Sequence, residues 1–295
     1  MDKFNNIFKP FGTKKGRTNK PKQVEQASAL AESAHWHQVK HWYLSDLGQA
    51  LLESEKQQLD TLLERVFGYN LVQLGRLDRG GLLGLSRTSQ QCLVESILTE
   101  GDDNNACIVG EFSQLALQNQ SIDALILPHT LEFETQAHQI LREVERVLVA
   151  EGKAIFLGFN PYSLWGMWHK YWEIKSHIAI DSNAYQAPLP SCGQLISQRR
   201  LRDWLSLLGF DVECIVEHFY RPPLSRSALL TRLDFMERVG HFSSILPAGA
   251  YVLLATKRVS TLTPIRQRWK FPKPIISADS PEPARCILKY KNKGK

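Results

Sequence analysis

The sequence predicts an α/β fold built on a doubly wound parallel sheet. Three observations carry that prediction. Residues 122–161 read as a complete βαβ unit, short apolar strands alternate with amphipathic helical stretches along the body, and 295 residues at 43% apolar content can bury a sizeable core.

The βαβ unit is the best-formed piece. Ile122 to Leu127 is an apolar run of the kind buried on both faces of a parallel sheet, and Pro128 ends it. From Thr135 to Leu148, Ala137, Ile140, Leu141, Val144, Val147 and Leu148 fall at helical spacing, with Gln, Arg and Glu on the opposite face. Gly152 is the expected helix stop, and Lys153 to Phe159 the second strand, broken by Asn160-Pro161.

Other elements follow in order. Residues 1–28 are rich in Lys, Asn, Gly and Thr without apolar periodicity and read as a disordered basic tail. His35, Trp36, His37, His41, Trp42 and Tyr43 form an aromatic and histidine cluster that reads as a segment packing on the body; no acid or cysteine nearby completes a metal set. Leu47, Leu51, Leu52, Leu59, Leu62, Leu63 and Val66 mark a helix from about Ser45 to Phe67, capped by Ser45 or Asp46 and ended by Gly68. Tyr69 to Leu74 reads as the first strand, followed by a glycine-bearing loop from Gly75 to Gly84. A strand within Cys92 to Leu98, a turn at 101–105 and a short strand to Val109 come next.

Beyond the central unit, Trp165, Trp168 and Trp172 share one face of a helix, and residues 176–193 read as a loop insertion. Ser197 to Leu208 is a helix with Leu201, Trp204, Leu205 and Leu208 inward; Phe210 to Glu217 and Tyr251 to Thr256 are the last strands. The folded body is therefore expected over 29–257, with an N-terminal helical segment at 29–67 and a second disordered basic tail at 258–295.

Charge is concentrated at the ends. Residues 1–22 carry +6 and residues 257–295 carry +9, so a chain of net +6 leaves −9 on the body. Such tails read as solvated chain, or as arms for nucleic acid. Five cysteines without CxxC spacing suggest neither a disulfide framework nor a thiolate zinc site, and point to a reducing cytosol. No apolar run approaches the roughly 20 residues of a membrane helix, so no membrane partner is expected and a cytoplasmic location is.

The QNQSIDALILPHTLEF segment after Leu115, continued by ILREVERVLVAEGKAIFLGFNP, resembles the second half of the class I S-adenosylmethionine-dependent methyltransferases, type 11 branch. The matching positions are Glu111, Leu115, Asp123, Leu131-Glu132-Phe133, Glu143, Arg146-Val147-Leu148 and Gly152; RRLRDWLSLLGF at 199–210 extends the match. The stretch from Trp42 to Leu52 resembles the N-terminal helix of a proteobacterial subgroup. The resemblance implies a Rossmann-like sheet of seven strands with the last antiparallel, and S-adenosylmethionine as cofactor. It also implies a loop after strand one at the cofactor's amino-acid part, an acid ending strand two at its ribose, and an acid after strand three facing the adenine.

Mapped here, that loop is Gln73-Leu74-Gly75-Arg76-Leu77-Asp78-Arg79, in which Gly75 alone keeps the family's glycines. Asp78 stands in for the acid missing at 73, Glu95 is the nearest candidate for the ribose, Glu111 is in place and Phe112 is set to stack on adenine. Charged hydrogen bonds contribute about 1.5 to 3 kcal/mol each, so losing two costs roughly 3 to 6 kcal/mol of cofactor affinity. Transfer from a sulfonium needs positioning more than a nucleophile. His129, beyond strand four, is read as the general base and as a cofactor contact, and Asn160 as a residue of the loop beside the pocket. Two functions are thus expected as alternatives: methyl transfer to an unspecified small or macromolecular acceptor, or a degenerate methyltransferase fold that binds RNA or protein.

Overall fold

The computed structural model describes residues 35–77, 82–83, 86–96, 106–178, 189, 193–222 and 247–259. Asp78, the basic tail 1–28, residues 260–295 of the second tail and the 101–105 turn lie outside these residues.

Seven strands make one sheet in the order β3-β2-β1-β4-β5-β7-β6. They are β1 Asn70–Leu74, β2 Gln90–Glu95, β3 Ala106–Val109, β4 Ile122–Pro128, β5 Leu148–Phe159, β6 Phe210–His218 and β7 Ala250–Lys257. The first five pair in parallel, whereas β7 runs antiparallel between β5 and β6. The doubly wound, seven-stranded architecture with an antiparallel last strand is therefore present.

Helices cover the sheet because each carries an apolar stripe. Helix α1 spans 35–43, the aromatic stretch within the N-terminal helical segment expected at 29–67. Helix α2, Asp46–Leu63, starts where Ser45 Oγ accepts from the Gly48 amide at 3.1 Å and buries Leu47, Leu51, Leu52, Leu59, Leu62 and Leu63. It stops a turn earlier than periodicity suggested, leaving Phe67 exposed. A short helix α3, Thr130–Phe133, not foreseen from sequence, follows β4, and α4, Ala137–Val147, buries Ile140, Leu141, Val144 and Val147. Helix α5 is Leu164–Ile178, and α6, Gln198–Leu207, is capped by Ser197 Oγ accepting from Arg200 N.

Gly152 does not stop α4. The helix ends at Val147, and Leu148 already pairs with Ile122; Lys153 pairs with Ala124, so 149–152 bulge out of the ladder, with Glu151 in the left-handed region at φ 61°. The three tryptophans of α5 also divide: Trp165 is core, whereas Trp168 is exposed.

Candidate functional site

Strand order reverses between β1 and β4, and ligands of open α/β sheets bind outside the carboxyl ends of the strands at such a switch. At that edge a crevice is lined by Trp36, Lys40, Gly75, Arg76, Glu95, Ser96 and Phe112. Gly75 follows β1, Glu95 is the last residue of β2, and Phe112 lies just beyond β3. Three strand ends thus converge on one place, and two of the sequence candidates, Gly75 and Phe112, meet there with Glu95.

Gly75 sits at φ 90°, a conformation that favours glycine, and a Cβ added to it would come within 2.5 Å of the Trp36 ring. Its loop is held by Gln73, fully buried at the position where the resemblance expects an acid. Gln73 Nε2 donates to Gly75 O at 2.7 Å and its Oε1 accepts from Leu82 N at 3.2 Å. A carboxylate could only accept, so the amide ties both sides of the loop at once. The described residues between β1 and β2 include no helix.

Glu95 is buried and ion-paired on two sides, to Lys40 Nζ at 3.3 Å and Arg76 Nε at 3.1 Å. Glu111 is exposed and accepts from Ser113 Oγ, while its neighbour Phe112 is buried. The loop carrying both is clamped from α4. Glu143 Oε2 accepts from Leu115 N at 2.9 Å, and Arg146 donates to Leu115 O and Leu117 O at 2.9 Å each. Arg146 also bonds Glu143, which holds the Glu143 carboxyl below its usual range. The Glu-x-x-Arg spacing of the family motif thus has a physical meaning here: one turn of helix grips the backbone of the loop that presents Glu111.

His129 has a different place from the one its sequence position suggested. It is fully buried at φ 54° and is not among the crevice residues. Its Nε2 lies 2.8 Å from Glu55 Oε1 and its Nδ1 2.9 Å from Glu132 Oε2, while its ring stacks on Phe159 at 4.2 Å. Burial alone would lower its pKa; the Glu55 carboxylate and the bonds to Glu132 outweigh it and raise the value to about 9. With both nitrogens engaged, the imidazolium has no lone pair for a substrate proton. Burial pushes the Glu132 carboxyl up, against the pull of His129 and of the Phe159 amide donating to it at 2.8 Å. Asn160 turns its side chain onto its own loop, Oδ1 accepting from Tyr162 N at 3.1 Å.

Trp36 is the residue that sequence reading missed. Its ring meets Phe112 and Phe133 edge-on at 5.8 and 6.3 Å, and its Nε1 donates to Glu134 Oε1 at 2.7 Å. The crevice has the groups the cofactor calls for: a glycine for close approach, an acid at the end of β2 for a diol, and an aromatic ring beyond β3. Trp36 fills the space over Gly75. The residues fit the cofactor in kind, and α1 sets the room. Among the described residues, no group of three or more His, Cys, Asp and Glu is arranged to hold a metal ion.

The model of the methyltransferase domain family matches residues 84–156, the stretch from the glycine loop through most of β5. The uncharacterized protein YafS of Escherichia coli K12 is 25% identical over 166 residues, 56% of this chain and 62% of its own length. The chain thus spans less than two thirds of that relative. Among solved structures, a methyltransferase of Thermotoga maritima, described as S-adenosylmethionine-dependent and a possible histamine N-methyltransferase, is 18% identical with a TM-score of 0.53, covering 76% of this chain and all of its own. That likeness is one of fold.

Proposed function

We propose that this chain, whose residues 84–156 match the methyltransferase domain family and whose fold is like that of a solved methyltransferase, is a class I S-adenosylmethionine-dependent methyltransferase of the type 11 branch, and we infer that the crevice at the carboxyl ends of β1 to β3 is the cofactor site. The observation that carries this reading is the convergence of Gly75, Glu95 and Phe112 on that one crevice, Glu111 being the residue before Phe112 in the chain. Glu95 would accept from the ribose hydroxyls, Phe112 would lie against the adenine, and Glu111 would receive the adenine amine. Gly75 leaves the backbone open where a side chain would block approach.

The cofactor, when bound, supplies a sulfonium methyl group that passes to a lone pair of the acceptor, with S-adenosylhomocysteine as the leaving product. The chain's part is to hold and align. His129 keeps α2, β4 and α3 in place rather than moving a proton, and the α4 clamp keeps Glu111 and Phe112 at the site. Positioning of this kind supplies roughly 7 to 11 kcal/mol of a barrier. The reading is tested by thermal denaturation with S-adenosylmethionine: the wild type gains melting temperature with ligand, and Glu111→Ala loses most of that gain. No shift at millimolar ligand for the wild type and for Trp36→Ala would overturn it. Nucleic-acid binding by the two basic tails is a separate proposal, supported by their charge alone.

A further inference from the structure

We propose that the N-terminal half of α1 is an autoinhibitory plug, Trp36 occupying the cofactor crevice and Lys40 latching it shut, so that cofactor enters only when this part of the helix withdraws. The proposal rests on the cofactor reading above and says how that site is regulated.

Five contacts point the same way. The Trp36 ring lies over Gly75, where an added Cβ would be 2.5 Å from it. It meets Phe112 beyond β3 and Phe133 beyond β4, so one side chain spans the switch between the two halves of the sheet. Its indole N–H is satisfied by Glu134 at 2.7 Å, which holds the ring inward. One turn later, Lys40 pairs with Glu95 at 3.3 Å and so occupies the acid that would hold the ribose. Gly75, Glu95 and Phe112 are thus each engaged by α1 or lie under it.

The other end of α1 is fixed. Tyr43 is buried with its hydroxyl donating to Glu55 at 3.3 Å, and Trp42 packs edge-on against Phe159 and Trp165. The helix is therefore anchored at 42–43, while the segment that withdraws carries Trp36, the buried Val39 and Lys40, whose contacts include the rings of Phe112 and Phe133, the bond to Glu134 and the ion pair with Glu95. A plug of this build trades cofactor affinity for control: apparent affinity is reduced by the fraction of molecules that are open.

The test is calorimetric titration of S-adenosylhomocysteine into the full chain, wild type, Trp36→Ala and Lys40→Met. Trp36→Ala should bind at least roughly tenfold tighter than wild type, and Lys40→Met should gain less. Because Trp36 is buried and its loss could disturb folding, hydrogen exchange of the wild-type amides over 35–40 serves as a second readout. Exchange there should rise on saturation with the ligand while 46–63 stays protected. Equal affinity for all three proteins, or unchanged exchange over 35–40 in a saturated wild type, overturns the plug and leaves the cofactor site standing. Weaker binding by Trp36→Ala overturns it by making Trp36 part of the binding surface. Absence of binding by every variant up to millimolar ligand overturns the cofactor reading and the plug with it.

Discussion

Glu55 Oε1 lies 2.8 Å from His129 Nε2, joining the middle of α2 to the turn after β4 across 74 residues of sequence. Glu132 closes the other side at 2.9 Å, so one buried cation is held between two buried acids. Tyr43 of α1 donates to the same Glu55, which ties the plug's anchor to this centre.

Removing the cation should be costly. His129→Leu leaves Glu55 and Glu132 without the charge that compensates them, and breaking a buried pair in this way costs about 3 to 5 kcal/mol. Urea denaturation should report a loss of that order. Retention of cofactor binding by whatever fraction stays folded would separate this structural part from a role in proton transfer.

The same centre gives stability a pH slope. The His129 pKa is raised to about 9 in the fold from an ordinary 6.5, so its contribution is complete below about pH 6.5 and is lost as pH rises through about 9. Glu132 is also raised, by burial, and therefore adds to the same sign: the folded state binds more protons than the unfolded one. Unfolding free energy measured from pH 6 to 9.5 should fall, and His129→Gln should flatten that fall.

The α4 clamp should couple stability to binding. Arg146→Ala removes the donors to Leu115 O and Leu117 O and frees Glu143 from its partner. Hydrogen bonds to charged groups contribute about 1.5 to 3 kcal/mol each, reduced here because the guanidinium is partly exposed. A melting-temperature loss of a few degrees is expected, with weaker S-adenosylhomocysteine binding because the loop bearing Glu111 and Phe112 loosens.

Gly75 and Trp36 should behave as a coupled pair. Gly75→Ala meets the ring at 2.5 Å and the penalty of φ 90°, a combination of about 1 to 3 kcal/mol. In a Trp36→Ala background the steric share disappears and the backbone share stays, so the two losses should sum to more than the loss of the double variant.

What could be read from sequence was what local pattern dictates. The β4, α4 and β5 unit was legible because an apolar run and a helical stripe are properties of neighbouring residues. Glu111 and Phe112 were singled out by the family resemblance that this unit carries. His129 was not legible as a buried cation, since its partner Glu55 is 74 residues away and a turn histidine has the same local signal wherever it points. Trp36 was hidden for a similar reason. A tryptophan among aromatics looks the same packed in a core or laid over a cofactor crevice, and its partner Glu134 is 98 residues distant. Gln73 carried a usable signal, an amide where the family has an acid, and its two bonds to the loop show how the altered first motif is held.

The central claim is that the cofactor lies against Glu95 at the end of β2. It is tested most directly in the opened protein, by titrating S-adenosylhomocysteine into Trp36→Ala and into Trp36→Ala with Glu95→Gln. Loss of one charged acceptor should weaken binding by roughly tenfold to a hundredfold. Equal affinity of the two proteins would contradict it.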